Sequence, residues 1–93
     1  MQTVRTPAVA GLFYPADATE LHAQVQQFLN ESEPPATAPP KAIIVPHAGY
    51  IYSGPIAASA YARLRAARAV ITRVVLLGPS HRVGFRGIAV SGM

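Results

Sequence analysis

The stretch AIIVPHAGYIYSGP, residues 42–55, decides how this chain is read. Ala42-Ile43-Ile44-Val45 is a short β-branched run without polar alternation, the pattern of a parallel strand buried on both faces. Behind it, Pro46-His47-Ala48-Gly49-Tyr50-Ile51-Tyr52-Ser53-Gly54-Pro55 reads as a loop. A connection that only turned the chain would need a glycine or a proline, but no imidazole beside two tyrosines. Gly49 is read as the place where the backbone bends beside His47. Pro55 suits the first turn of a helix, expected over residues 56–69. Ile56, Ala60, Leu64 and Ala67 fall on one stripe of that helix, with Arg63, Arg65 and Arg68 reaching to solvent.

Working outward, residues 73–77 repeat the buried-strand pattern and are closed by Gly78-Pro79, and residues 87–90 read as a third short strand. Strand 42–45, helix 56–69 and strand 73–77 together make a βαβ crossover, expected to be right-handed with its strands parallel. The fold class expected is therefore α/β, with a mostly parallel sheet built on that unit. Upstream, residues 1–16 carry Pro7, Gly11 and Pro15 and read as an extended segment pinned to a core. Asp17 followed by Glu20 is a capping-box-like helix start. Leu21, Val25, Phe28 and Leu29 then mark one apolar face of a helix to about Asn30, with His22 at its flank as a surface histidine. Residues 33–40 are rich in proline and read as a stiff internal loop, so residues 1–93 form a single domain, expected to be partial.

Composition narrows the function classes. Without cysteine there is neither a disulfide framework nor a thiolate metal ligand in this chain. No apolar stretch approaches the roughly 18–20 residues that span a bilayer, and Ala8-Val9-Ala10 lacks the apolar region of a signal peptide. The expected location is the cytoplasm, without a membrane partner. The net charge of +4 is unevenly placed, because all four acids precede residue 34 and seven of the eight Lys and Arg residues follow it. Such a half could meet a polyanion. The arginines are nevertheless spread over several elements without a recognition motif, so no nucleic-acid partner is expected.

His47 and His81 each stand just past the end of an expected strand, about one βαβ unit apart. That edge of an open α/β sheet is where ligands bind. Three chemistries suit the pair. Neutral imidazoles ligate Fe, Zn, Cu or Ni. Without metal, either histidine could move protons while Tyr50 or Tyr52 orients a substrate. Ser80 as nucleophile is disfavoured, since its neighbour His81 is badly placed as base and no acid follows to orient it. The plain alternative is two histidines satisfied by backbone groups. Arg82 could hold an anionic group or be a solvated turn residue.

Three ordered stretches carry a resemblance. Pro7-Ala8-Val9-Ala10-Gly11-Leu12-Phe13-Tyr14-Pro15, then Pro46 to Gly54, then Leu77-Gly78-Pro79-Ser80-His81-Arg82 resemble motifs of the Memo family, also known as AmmeMemoRadiSam system protein B. The resemblance implies a three-layer α/β/α sandwich, here partial, similar to the LigB-type class III extradiol dioxygenases. It implies that His47 and His81 match two metal-site histidines, serving as catalytic residues and metal ligands. Tyr50, Tyr52, Ser80 and Arg82 are then the candidate substrate-binding residues. The cofactor implied is a divalent metal, Fe(II) first, with Cu or Zn as alternatives. If active, the protein would be an extradiol-dioxygenase-like oxidoreductase acting on a small molecule. The competing expectation is a non-catalytic module that recognises an anionic ligand or peptide in the same pocket. Family members are longer, with further ligands in their C-terminal half. The chain is thus expected to be an N-terminal portion with an incomplete site and an unpaired sheet edge that invites self-association.

Overall fold

The computed structural model describes residues 4–32 and 38–90. Helix α1 (Ala18–Glu31) begins where the sequence places it. Asp17 is extended, and its Oδ2 accepts the Glu20 N–H at 2.9 Å, so the expected cap forms. A cap of this kind is worth about 1 kcal/mol. Glu20 also places a negative charge in the first turn, where the helix dipole favours it. The helix stops at Ser32, whose N–H reaches the Leu29 carbonyl at 3.2 Å and whose Oγ donates to the Phe28 carbonyl at 3.0 Å. Leu21, Val25, Phe28 and Leu29 lie on one face, and His22 is exposed, as the periodicity requires.

Helix α2 (Tyr50–Tyr61) begins well before residue 56 and continues as a 3-10 segment over Ala62–Ala67. The stretch read as a loop is therefore largely helix. Gly49 is its N-cap, with φ −55° and ψ 154°, a conformation open to any residue, so the expected glycine bend is not used. Pro55 lies inside the helix rather than in its first turn, and removes the N–H that would have met the Ile51 carbonyl. Two things outside the segment hold the helix there. The Tyr50 N–H donates to the Phe13 carbonyl at 2.7 Å. Gly54 also lets α2 approach α1 closely. A Cβ at that position would lie 2.8 and 3.0 Å from two Phe28 ring carbons and closer still to a third.

The N-terminal segment folds back on itself. Ala10 and Tyr14 form an isolated bridge, and the Gly11 N–H donates to the Tyr14 carbonyl at 2.7 Å. Gly11 needs to be glycine, since its φ is +82°. At the far end of the helix pair, the Arg65 guanidinium donates through Nη1 to Asn30 Oδ1 at 3.1 Å, so this arginine, exposed as expected, also ties α2's extension to α1. The buried residues among those described are Ala58, Ala62, Ala67 and Ser53. Of the stripe expected from sequence, Ala67 is buried and Ala60 and Leu64 are half-buried, whereas Ile56 is 62% exposed.

The expected α/β class, its mostly parallel sheet and the α/β/α sandwich are corrected by the structure. Among the described residues there are two α-helices and one 3-10 segment, with no strand and no sheet. Residues 42–45, 73–77 and 87–90 carry strand-like sequences without strand partners. The βαβ crossover therefore does not form. The physical reason is that a parallel strand is stable only when paired on its edges and covered on its faces. Here Ile44 is 99% exposed and Leu76 84%. The accessible surface is 8471 Å², against about 5,200 Å² for a compact monomer of this mass. The exposed side chains include many large apolar ones. Part of the proline-rich connection, residues 33–37, lies outside the described residues, as do residues 91–93, while residues 38–40 have no regular structure. Among the described residues no helix is long and apolar enough to cross a membrane.

Two outcomes are expected. Gly54→Ala gains helix propensity of about 1 kcal/mol but overfills the contact with Phe28, at a cost of about 1–3 kcal/mol. Urea unfolding should show net destabilisation, and Phe28→Leu in the same chain should reverse it. A Gly54→Ala variant as stable as the parent would count against this contact. Second, the exposed apolar runs should drive self-association without a sheet edge. Light scattering after size exclusion should give a mass above 9.8 kDa that falls in a Val75→Lys, Leu76→Lys variant; equal masses would remove those residues from the interface.

Candidate functional site

The segment leading into α2 and the segment that follows the 3-10 turn bring two histidines together. His47 stands two residues before the N-cap Gly49, and His81 lies in a bend within a stretch without regular secondary structure. Their Nε2 atoms stand 3.2 Å apart, across 34 residues of sequence. The ring centroids are separated by 5.2 Å with planes tilted by 39°. Both side chains are exposed. Two imidazole nitrogens at this distance either share one proton, with one ring as donor and the other as acceptor, or present two lone pairs to a common electrophile. Among the described residues no group of three or more His, Cys, Asp or Glu converges on one point.

The turn that carries His47 is fastened on both sides. The Ala48 N–H donates to Ser53 Oγ at 2.8 Å, and the Tyr50 N–H to the Phe13 carbonyl. Ser53 was not among the residues expected from sequence. The signal was available, since a serine one turn into a helix can reach back to an N–H before the cap, but the helix start had to be placed correctly first. On the other side, Ser80 Oγ donates to the Val83 carbonyl at 2.6 Å, which closes a small turn around His81.

Beside this pair lies an open cavity of about 550 Å³, lined by the N-terminal segment, α1, residues 45–48 and α2. That volume lies within the range of small-molecule sites. Phe13, Tyr14, Phe28, Tyr50 and Tyr61 give it an aromatic wall, and His47 and Ser53 supply polar groups. The Tyr14 and Tyr50 rings meet at 5.6 Å with a 41° tilt.

The six candidate residues are thus distributed unevenly. His47 and His81 touch each other, and His47 and Tyr50 border the cavity. Tyr52 is 78% exposed on the outer face of α2, and it is not among the cavity-lining residues. Ser80 donates its hydroxyl to the Val83 carbonyl and is not among the cavity-lining residues. Arg82 is exposed next to His81 and does not reach the cavity wall. The convergence of Phe13, Tyr14 and Phe28 on the cavity is not legible in the sequence, because it depends on how the N-terminal segment and the two helices meet.

Comparisons with known proteins agree with one another. Residues 5–93 match the family model for the Memo-like protein. A MEMO1 family protein of Aquifex aeolicus is 51% identical over 78 residues, covering 84% of this chain and 27% of its own length. One from Methanocaldococcus jannaschii is 40% identical over 99 residues, covering 97% of this chain and 34% of its own. One from Sulfolobus acidocaldarius is 44% identical, covering 84% and 31% respectively. The chain therefore spans about a third of the length of the curated relatives it matches. No solved structure matches it significantly.

Proposed function

This chain belongs to the Memo family, and on that premise we propose that His47 and His81 hold one divalent metal ion at the mouth of the aromatic cavity, in a dioxygenase-like pocket. The observation that carries the reading is the 3.2 Å between the two Nε2 atoms. Two imidazole nitrogens bound to one ion at about 2.0–2.1 Å stand roughly 2.8–3.4 Å apart for octahedral to tetrahedral angles. The donor set also fits, since neutral imidazole suits Fe(II), Zn(II) and Cu(II). When bound, the ion supplies a Lewis-acid and, for iron or copper, a redox centre beside the cavity.

The chain's own residues do the rest. His47 belongs to both features, so it links the ligand pair to the space where a small molecule would sit. The aromatic wall favours an apolar body. Tyr50, anchored by Phe13 and packed on Tyr14, lines that wall and is the candidate substrate contact. Two side chains fill two coordination positions, which leaves the remainder to water, substrate or other protein groups. The alternative of a non-catalytic module for an anionic ligand or peptide in the same pocket gains no comparable support, because no Lys or Arg is among the cavity-lining residues.

The test is anaerobic titration of Fe(II), with Zn(II) and Cu(II) in parallel, into the chain and its His47→Ala and His81→Ala variants. Each substitution should weaken binding at least about tenfold. Equal uptake by all three proteins would overturn the site.

A further inference from the structure

We infer that Ser53 is a positioning residue for His47: by accepting the Ala48 N–H it sets the turn from which the imidazole meets His81. The inference rests on reading the histidine pair as a ligand site, and it assigns the device that orients one of the two ligands.

Ser53 is the one buried polar residue among those described, at 6% exposure. The other buried residues, Ala58, Ala62 and Ala67, are alanines. Alanine would serve better than serine there on helix propensity alone. The hydroxyl therefore needs an account, and its bond to the Ala48 N–H at 2.8 Å supplies one. Ala48 lies before the N-cap, so its N–H has no intrahelical carbonyl to meet. Ser53 satisfies it. The next residues are already committed: the Gly49 carbonyl accepts from the Tyr52 and Ser53 N–H groups at 2.9 Å each, and Tyr50 N–H goes to Phe13. With Ala48 held as well, the peptide that follows His47 has little freedom, which fixes the backbone position from which the imidazole leaves toward His81.

His81 has no such support. Residues 68–90 are exposed throughout, and the turn around His81 is closed only locally by Ser80 and Val83. His47 is thus the fixed member of the pair and His81 the one that must find it. Groups that orient a ligand typically change metal affinity by about 10–100-fold when removed.

The experiment compares Ser53→Ala and Ser53→Thr with the unaltered chain in three measurements: helix content by circular dichroism, the ring-to-ring nuclear Overhauser effect between His47 and His81 without metal, and Zn(II) affinity. Ser53→Ala should keep its helix content, show no ring-to-ring effect and bind Zn(II) about tenfold more weakly. Ser53→Thr, which keeps the acceptor, should restore both. An unchanged ring-to-ring effect and affinity in Ser53→Ala would overturn the inference. So would a loss that follows the helix signal down and is not rescued by threonine, since that is a packing defect. If the unaltered chain binds no metal, the ligand reading fails separately. The ring-to-ring effect then decides the role of Ser53. Its disappearance in Ser53→Ala and return in Ser53→Thr support the role. Its persistence in Ser53→Ala, or its absence from the unaltered chain, overturns it.

Discussion

The structure depends on the close approach of the Phe28 ring to Gly54, where α1 and α2 meet. A side chain at Gly54 would hold the helices apart. Without one, the aromatic ring of one helix lies on the backbone of the other, and the small residues Ala58 and Ala62 are buried farther along the same chain segment. This explains how a helix can contain both a glycine and a proline near its middle and still form. The tertiary contact outweighs a propensity cost of about 1 kcal/mol for Gly and about 3 kcal/mol for Pro. The same approach bounds the cavity on one side, since Phe28 and Gly54 both line it.

From that contact the site follows in a short chain of cause. Packing α2 against α1 brings its N-terminus to the N-terminal segment, where the Phe13 carbonyl receives the Tyr50 N–H. The helix therefore starts at Tyr50, Ser53 falls one turn inside it, and its hydroxyl reaches back to Ala48. His47 is left just outside the cap, at the border of the cavity. Its meeting with His81 links two parts of the chain that share no sheet and no helix pair.

The rest of the apolar sequence remains unspent. Ile44, Val74, Val75, Leu76, Leu77, Ile88 and Val90 are exposed, although their β-branched and aliphatic pattern is that of covered strands. A chain spanning about a third of its relatives' length carries this pattern without the surfaces that would satisfy it. Net stability then falls on the two helices, the 3-10 segment and the N-terminal turn, and the described buried residues lie in α2 and its extension.

Local chemistry was enough for some of this. The Asp17 cap, the apolar face of α1 and the serial placement of His47 and His81 could all be read directly, because each depends on residues near one another or on spacing alone. Membership of the Memo family also rested on three local motifs, and the family comparisons agree with it. The start of α2 could not be read, since Gly49, Gly54 and Pro55 signal a break in isolation and only Phe28 and Phe13 reverse that signal. Nor could the sheet be judged, because a β-branched run states what a segment prefers once it has a partner and says nothing of whether one is present. Sequence determined the capping of α1, its apolar face and the histidines as a pair of interest. The tertiary structure decided where α2 begins, that Ser53 holds the turn, and that the strand-like runs stay unpaired, because each of these depends on whether atoms distant in the chain come within bonding distance.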